Sequence, residues 1–401
     1  MRKLIIALAL VILLLPFVTC GPPVSVPAAE KETPPPTPEK VTELIIETWE
    51  IGGNLMYSGQ AIRDDIFTSM ASELEQGKIA RQQIIRYDLR SREQKTLFEL
   101  PADRIVYDSP SVYDDLVLWS SVSRIEEEQQ LSLRRAPLPD FDVFLLDIKT
   151  GQMQQLTKEE HAQVSPRIYG DTIVWLDARN VEGYYNPQRY DVYSYDLKTK
   201  TEERLTSAPT AEGRDLSISG SMVIWTDDRH ADPPMAIHAE NERGFNNEIY
   251  AYDLSTNRGK RITNYPGNDR HPVIDGDNIV WLRQLHQDYI KADVFLFNIE
   301  TGRETQVSTS GYATFCPSIH GNRILYSDAR VSLGNTDGDV IMNGIQGQAD
   351  IYLYDLETKQ EVKLSSTKPG DVLANPIVYR DYIVYTSVIM IGSRIYGIHL
   401  S

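Results

Sequence analysis

Along most of this chain, short runs of β-branched and aromatic residues alternate with clusters of Gly, Asp, Asn and Lys-Thr. That is the chemistry of strands joined by tight turns, not of helices. The clearest stretch starts at Pro166, passes a Gly170-Asp171 turn and continues as Ile173-Val174-Trp175. After a variable segment it gives Asp191-Val192-Tyr193-Ser194-Tyr195-Asp196-Leu197 and then Leu205-Thr206. The order recurs. Its Trp position returns as Trp119, Trp225 and Trp281, is filled by Tyr326 and Tyr385, and is assigned to Tyr57 in the first unit. The Asp-Ile-Tyr-x-Tyr-Asp-Leu strand occurs seven times, at Gln83–Leu89, Asp142–Ile148, Asp191–Leu197, Glu248–Leu254, Asp293–Ile299, Asp350–Leu356 and Arg394–Leu400.

Each unit accommodates four strands, and a repeat of ~40 to 60 residues with four strands matches the blade of a β-propeller. Blades stacked face to face bury both sides of each sheet, so Ile-Val-Trp is apolar at successive positions instead of alternating. The expected fold is all-β, a ring of four-stranded antiparallel blades. Seven third strands predict seven blades. The chain reaches Ser401 before a fourth strand of the last unit, so Thr42–Glu47 is the candidate closing strand. The short span from Glu47 to Gly52-Gly53 argues for the alternative, a six-bladed ring closed by Lys95–Leu100.

These units resemble the TolB-type propeller repeats, found also in the amino-terminal propellers of dipeptidyl peptidases and oligopeptidases. In those families an Asp-Arg pair commonly follows the second strand, as Asp177-Ala178-Arg179, Asp228-Arg229 and Asp328-Ala329-Arg330 do here. The family's Ser-Pro-Asp-Gly turn is replaced by Gly-Asp forms such as Gly276-Asp277. The resemblance implies a fold and leaves function to the site.

The amino terminus carries an address. Met1-Arg2-Lys3 precedes the apolar run Leu4–Leu15, which has the length of a signal peptide core and is short for a membrane span. Phe17-Val18-Thr19-Cys20 resembles the lipobox of bacterial lipoproteins, with Phe17 where Leu is usual and Thr19 where a small residue is usual. The implied organisation is a signal peptide over 1–19, lipidation of Cys20, a Pro-rich tether over 20–40 and a propeller over 41–401. The alternative is cleavage near Ala28 and a soluble exported protein.

A formal charge of −17 disfavours nucleic acid and anionic membrane surfaces, leaving a lipid anchor as the membrane contact. Only Cys20 and Cys316 are present, so no disulfide framework is expected, and Cys316 reads as a small buried hydrophobe on a strand. The chain is expected to be a monomer.

Antiparallel order sends the loops after strands two and four to one end of the ring, and the two hairpin turns to the other. The second-to-third connections read as long at Ser58–Arg81, Ser121–Pro139, Asp177–Tyr190, Asp227–Asn246 and Asp328–Ala349, which makes that end the expected binding face. The binding candidates are Asp177, Arg179, Asp228, Arg229, Asp328 and Arg330. A charged ring is the functional reading, and local ion pairs that fix loop geometry are the structural one. Asn335, Asp337 and Asp339 offer Ca²⁺-type oxygen ligands without the full pattern of an EF-hand loop, so no cofactor is assigned. His230, His238 and His286 lack metal-ligand spacing. No Gly-x-Ser-x-Gly elbow occurs. The expected function is therefore a lipid-anchored binding or scaffold module for a protein, small molecule or glycan. The alternative is a glycosidase- or lyase-like propeller enzyme using Asp64, Asp65 or Asp337.

Overall fold

Turn chemistry and β-branched runs give strands throughout. The structure, a computed structural model, describes residues 46–51, 56–63, 65–75, 78–106, 110–124, 139–181, 189–207, 211–230, 246–284, 292–312, 317–330, 349–365, 372–389 and 392–400. They form seven four-stranded antiparallel blades in a ring. In strand order, blade 1 is β2 (Met56–Arg63), β3 (Ile66–Glu75), β4 (Lys78–Asp88) and β5 (Gln94–Glu99). Blade 2 has a split first strand, β6 (Arg104–Ile105) with β7 (Ser111–Tyr113), then β8 (Leu116–Ser123), β9 (Asp142–Asp147) and β10 (Gln152–Gln155). Blade 3 is β11 (Gln163–Tyr169), β12 (Thr172–Asp177), β13 (Arg189–Asp196) and β14 (Thr201–Arg204). Blade 4 is β15 (Ala211–Ser219), β16 (Met222–Asp227), β17 (Glu248–Asp253) and β18 (Arg258–Arg261). Blade 5 is β19 (Asn268–Asp275), β20 (Asn278–Gln284), β21 (Ala292–Asn298) and β22 (Arg303–Gln306). Blade 6 is β23 (Ser318–His320), β24 (Arg323–Asp328), β25 (Asp350–Asp355) and β26 (Gln360–Lys363). Blade 7 is β27 (Val372–Tyr379), β28 (Tyr382–Ile389), β29 (Gly392–Leu400) and, from the amino-terminal side, β1 (Ile46–Ile51).

The ring therefore has seven blades, and the six-bladed alternative falls. β1 pairs antiparallel with β29 from Ile46↔Leu400 to Ile51↔Ile395. The objection to closure placed this strand at Thr42–Glu47. It lies four residues further on, and Lys95–Leu100 falls mostly within β5, the outermost strand of blade 1. The Leu400 N–H donates to the Asp381 carbonyl, in the first hairpin turn of blade 7, at 2.8 Å. Ile46, opposite Leu400, thus enters at the short-turn end of the ring.

Two further expectations for blade 1 are corrected. Tyr57 lies on the innermost strand, and register places Ser69, opposite Ile85, where other blades carry Trp. Ser58–Arg81 is not a loop: β3 and β4 occupy most of it and meet across 76–77. Period-two strands with polar Thr and Ser on β3 hide the boundaries there.

Successive residues of the second strands pack in opposite directions. Ile173 and Trp175 join the cluster shared with blade 2, while Val174 and Leu176 join the one shared with blade 4. Trp119, Trp175, Trp225 and Trp281 are all buried and stack on Phe144, Tyr193, Tyr250 and Phe295 of the third strands.

The polar letters of the repeat have identifiable partners. In the YDL motif, Asp196 Oδ1 caps the second hairpin by accepting from Lys198 and Thr199 N–H at 2.9 and 2.7 Å. The Leu197 N–H donates to the Asp171 carbonyl at 2.8 Å, tying that hairpin to the first one. The Thr of Leu-Thr reaches back to the third strand: Thr206 Oγ1 donates to buried Asp191 at 2.6 Å and accepts from Val192 N–H at 3.1 Å. Ser308 repeats this with Asp293 and Val294, at 2.8 and 2.9 Å. Gly170 turns the first hairpin at φ 59°, a conformation forced on Asp114 and Arg380 in the equivalent turns at 51° and 53°.

Innermost strands leave one edge unpaired, which strands normally avoid. Here the neighbouring blade helps to satisfy it. Ser111, Ser217 and Ser318 hydroxyls accept from the Ile168, Ile274 and Val378 N–H groups of the next blade at 3.2, 3.3 and 3.1 Å.

Candidate functional site at the long-loop face

The second-to-third connections are very unequal. Residues 124–141, 178–188, 228–247 and 329–349 separate the second and third strands of blades 2, 3, 4 and 6, whereas in blades 1 and 7 only 76–77 and 390–391 separate them. The long connections thus span an arc of the ring, interrupted at the seam where its two chain ends meet.

Each arc blade carries an arginine stacked on its third-strand aromatic. In blade 3, buried Asp177 accepts from Trp175 Nε1 at 2.8 Å, from Arg179 N–H at 2.9 Å and from the Arg179 guanidinium at 2.6 Å. Arg179 also bonds Glu202 at 2.8 Å and lies 4.3 Å over Tyr193. Burial works against the Arg179 charge, and the Asp177 and Glu202 carboxylates more than offset it, holding the group above the ordinary guanidinium range.

Blade 4 repeats the clamp with a correction. The partner of Arg229 is Asp227, bonded at 2.7 and 2.8 Å, and not Asp228. Asp227 also takes Trp225 Nε1 at 2.8 Å, and Arg229 covers Tyr250 at 4.2 Å. The spacing is acid, any residue, Arg in every copy, so Asp228 occupies the place of Ala178 and Ala329 and is itself buried. Burial opposes ionisation of Asp227, yet its bonds to Arg229 and Trp225 bring its carboxyl below the usual value. In blade 6, Arg330 bonds Asp328 at 2.8 Å and Glu361 at 2.6 Å and covers Tyr352 at 4.0 Å.

Blades 5 and 2 use the same stack with altered residues, which the repeat alignment did not reveal. Arg283 stands two residues after Trp281, where blades 3, 4 and 6 have Asp, and its acid is Asp269 on the innermost strand, at 2.8 and 2.9 Å. It lies 4.3 Å over Phe295. In blade 2, Arg104 comes from the innermost strand, bonds Ser121 Oγ at 2.9 Å and covers Phe144 at 4.6 Å. The missed signal was an exchange of partners between strands one and two at fixed three-dimensional positions.

A second pair escaped notice. Asp215 on β15 is buried on the inner strand and bonds His271 of β19 through Nδ1 at 2.8 Å and through the backbone N–H at 3.1 Å, with Thr226 Oγ1 at 2.8 Å. His271 has φ 56° and precedes Pro272 at a register shift, a bulge that turns its backbone toward the neighbouring blade.

Of the remaining candidates, Asp65 lies in the first hairpin turn at the opposite end of the ring, paired with Arg90 at 2.5 Å. His230 packs 6.1 Å from Tyr250. Asp64, His238, His286, Cys316, Asn335, Asp337 and Asp339 lie outside the described residues, as do Cys20 and the segments assigned to signal peptide and tether. Among the described residues no group of three or more His, Cys, Asp or Glu is placed to hold a metal, and no helix is long and apolar enough to cross a membrane.

No family model and no curated protein matches the sequence, but solved structures match the fold. The β-propeller domain of the Trilobed protease from Pyrococcus furiosus, which has an open velcro topology, aligns with a TM-score of 0.57 at 9% identity over 86% of this chain and 93% of that one. The acylaminoacyl peptidase of Pyrococcus horikoshii aligns with a TM-score of 0.54 at 10% identity over 83% of this chain and 49% of that one. TolB from Acinetobacter baumannii aligns with a TM-score of 0.42 at 15% identity over 87% of this chain and 80% of that one. The chain spans about half the length of the acylaminoacyl peptidase. The likeness is to the propeller fold, and unlike an open ring this one is joined by β1 and β29.

Proposed function

We propose that this protein is a lipid-anchored extracytoplasmic binding module, acylated at Cys20, that presents its long second-to-third connections to a protein or glycan partner. The observation that supports it is topological. The chain enters β1 at the short-turn end of the ring, while the four long connections leave from the other end. A Pro-rich tether over residues 20–40, extended at ~3.1 Å per residue, would span up to roughly 65 Å between anchor and ring. Anchoring through Cys20 would then leave the long-loop face directed away from the bilayer. Arginine clamps at the base of each long connection give those loops rigid roots, as binding loops on a scaffold require.

Two measurements test this reading. Cys20→Ser is expected to move the protein from the membrane fraction to the soluble fraction, and intact mass should show an acylated amino terminus at Cys20. A photo-crosslinking residue placed in 231–245 should trap a partner in intact cells that is lost on deleting residues 333–346, while the same group in the Lys198-Thr199 turn should trap none. An unmodified start near Ala29, or trapping from the turns alone, would refute it.

A further inference from the structure

The opposite mouth of the channel departs from the repeat in a way its framework does not. Every innermost strand ends in a residue that closes the first hairpin, one place before the two-residue turn. In blade order these are Arg63, Tyr113, Tyr169, Ser219, Asp275, His320 and Tyr379, five residue types in seven equivalent places. Packing requirements at equivalent places are alike, so divergence there calls for another reason.

These side chains meet along two arcs of the ring, from blade 1 to blade 3 and from blade 5 to blade 7. The Arg63 guanidinium lies 3.8 Å over the Tyr113 ring and donates to Asp114 at 3.1 Å. Tyr113 and Tyr169 have centroids 5.2 Å apart. Ser219 Oγ accepts from Gly276 N–H at 3.1 Å, and Asp275 accepts from Gly321 N–H at 2.7 Å while lying 3.6 Å from His320 Nδ1. His320 stacks on Tyr379 of blade 7 at 4.3 Å, and Tyr379 lies within electrostatic reach of Arg63.

Two properties define what such a rim can hold. Tyr169 is 39% exposed, one of two large hydrophobic side chains so exposed among the described residues. An aromatic face left in water beside oriented guanidinium, carboxylate and imidazole groups suits a ring with an apolar C–H face and hydroxyl edges. Arg63 is matched by Asp114 and Arg323 by Asp381 at 2.8 Å, and Asp275 lies beside His320, so these groups carry no excess positive charge to select an anion.

We propose that the short-turn mouth of the channel binds a neutral saccharide, with Tyr169 as the stacking platform and Arg63, Asp275 and His320 bonding its hydroxyls. Burial holds His320 below the ordinary imidazole range, Arg380, Arg323 and Arg63 add to the effect, and Asp275 opposes it. A neutral imidazole can donate to one hydroxyl and accept from another. The proposal stands apart from the long-loop reading, because the two sites lie at opposite ends of the ring.

The test titrates the full chain with glucose, galactose, N-acetylglucosamine and their β-linked oligomers, and separately with glucuronate and inorganic phosphate, by calorimetry and saturation-transfer NMR. A neutral saccharide is expected to bind. Tyr169→Ala should weaken it about tenfold or more without lowering the melting temperature, while Tyr169→Trp retains it. Met153→Ala, at the other exposed hydrophobic side chain, should leave affinity unchanged. Asp275→Asn should also weaken binding, and Tyr169 supplies the arm that touches no framework hydrogen bond. The proposal is overturned if no neutral saccharide binds, if only glucuronate or phosphate binds, or if affinity ignores Tyr169 and is lost on deleting residues 231–242.

Discussion

Replacing Asp177 with Ala separates a framework role for the Asp-Arg pairs from a role in ligand contact. The carboxylate is fully buried and receives three donors, the Trp175 indole, the Arg179 N–H and the Arg179 guanidinium, at 2.8, 2.9 and 2.6 Å. Removing one member of a buried ion pair typically costs about 3–5 kcal/mol, and a stranded indole N–H about 1–3 kcal/mol, overlapping in part. Some solvent reaches Arg179, whose side chain is 19% exposed, and Glu202 remains as its partner, so the expected loss is about 4 kcal/mol. Arg179→Met keeps an apolar stem over Tyr193 and leaves Asp177 two donors, so about 1–3 kcal/mol is expected. The double variant should fall short of the sum by about 1–3 kcal/mol, the coupling of residues in one network. Guanidinium unfolding of the full chain, followed by Trp fluorescence and circular dichroism, reads all three; unfolding rates substitute if refolding is incomplete. A stability-neutral Arg179→Met that nonetheless abolishes partner capture would refute the clamp and restore these residues to the binding surface.

Three further outcomes are expected. His320 should titrate by NMR below the ordinary imidazole value of 6.5. Since the folded chain then binds fewer protons than the unfolded one, its contribution to stability is present above the unfolded value and is lost as pH falls from there through the lower folded value; His320→Gln should flatten that dependence, and a raised His320 titration would refute the assignment. Thr206→Val removes the hydroxyl between Asp191 and the Val192 N–H, and should cost about 1–3 kcal/mol in the denaturant midpoint, unlike substitution of exposed Glu203. Removing residues 1–51 strips β1 from β29, so the ring should lose cooperativity and self-associate through the freed edge in size-exclusion runs, whereas removing only residues 1–40 should do neither.

The repeat was readable wherever one physical demand recurs in all blades. Two-sided burial writes Ile-Val-Trp, an Asx-capped hairpin writes Asp-Leu, and the return bond to the third strand writes Leu-Thr. Blade 1 was misread because its second strand satisfies the same demand with Phe67, Ser69 and Met70, so that Tyr57 offered a false match. The closing strand was misplaced because β1 lies outside the repeat and is specified only by the edge it covers. Asp228 was named in place of Asp227 because adjacent letters look equivalent until strand alternation decides which one points at the arginine. In blades 2 and 5 the Arg-aromatic stack survived while its residues moved between strands, a conservation of geometry that linear spacing does not carry.

Repetition also works as a filter. Positions set by the blade architecture tend to converge on one residue type or one compensating pair, as the arginine clamps do even when Asp and Arg exchange strands. Positions released from that constraint differ only where sterics allow any residue or where each blade answers to something outside the ring. The inner hairpin-closing place is not sterically free: its side chains touch those of the next blade at four of the seven steps around the ring, through stacks and polar contacts. A constrained place that nevertheless carries Arg, Tyr, Ser, Asp and His points to demands that differ around the circle, as contact with a single asymmetric ligand would impose. The long connections diverge as well, but there divergence is cheap, since loop closure costs grow only slowly with length. Variation at the crowded mouth is therefore the stronger evidence of the two.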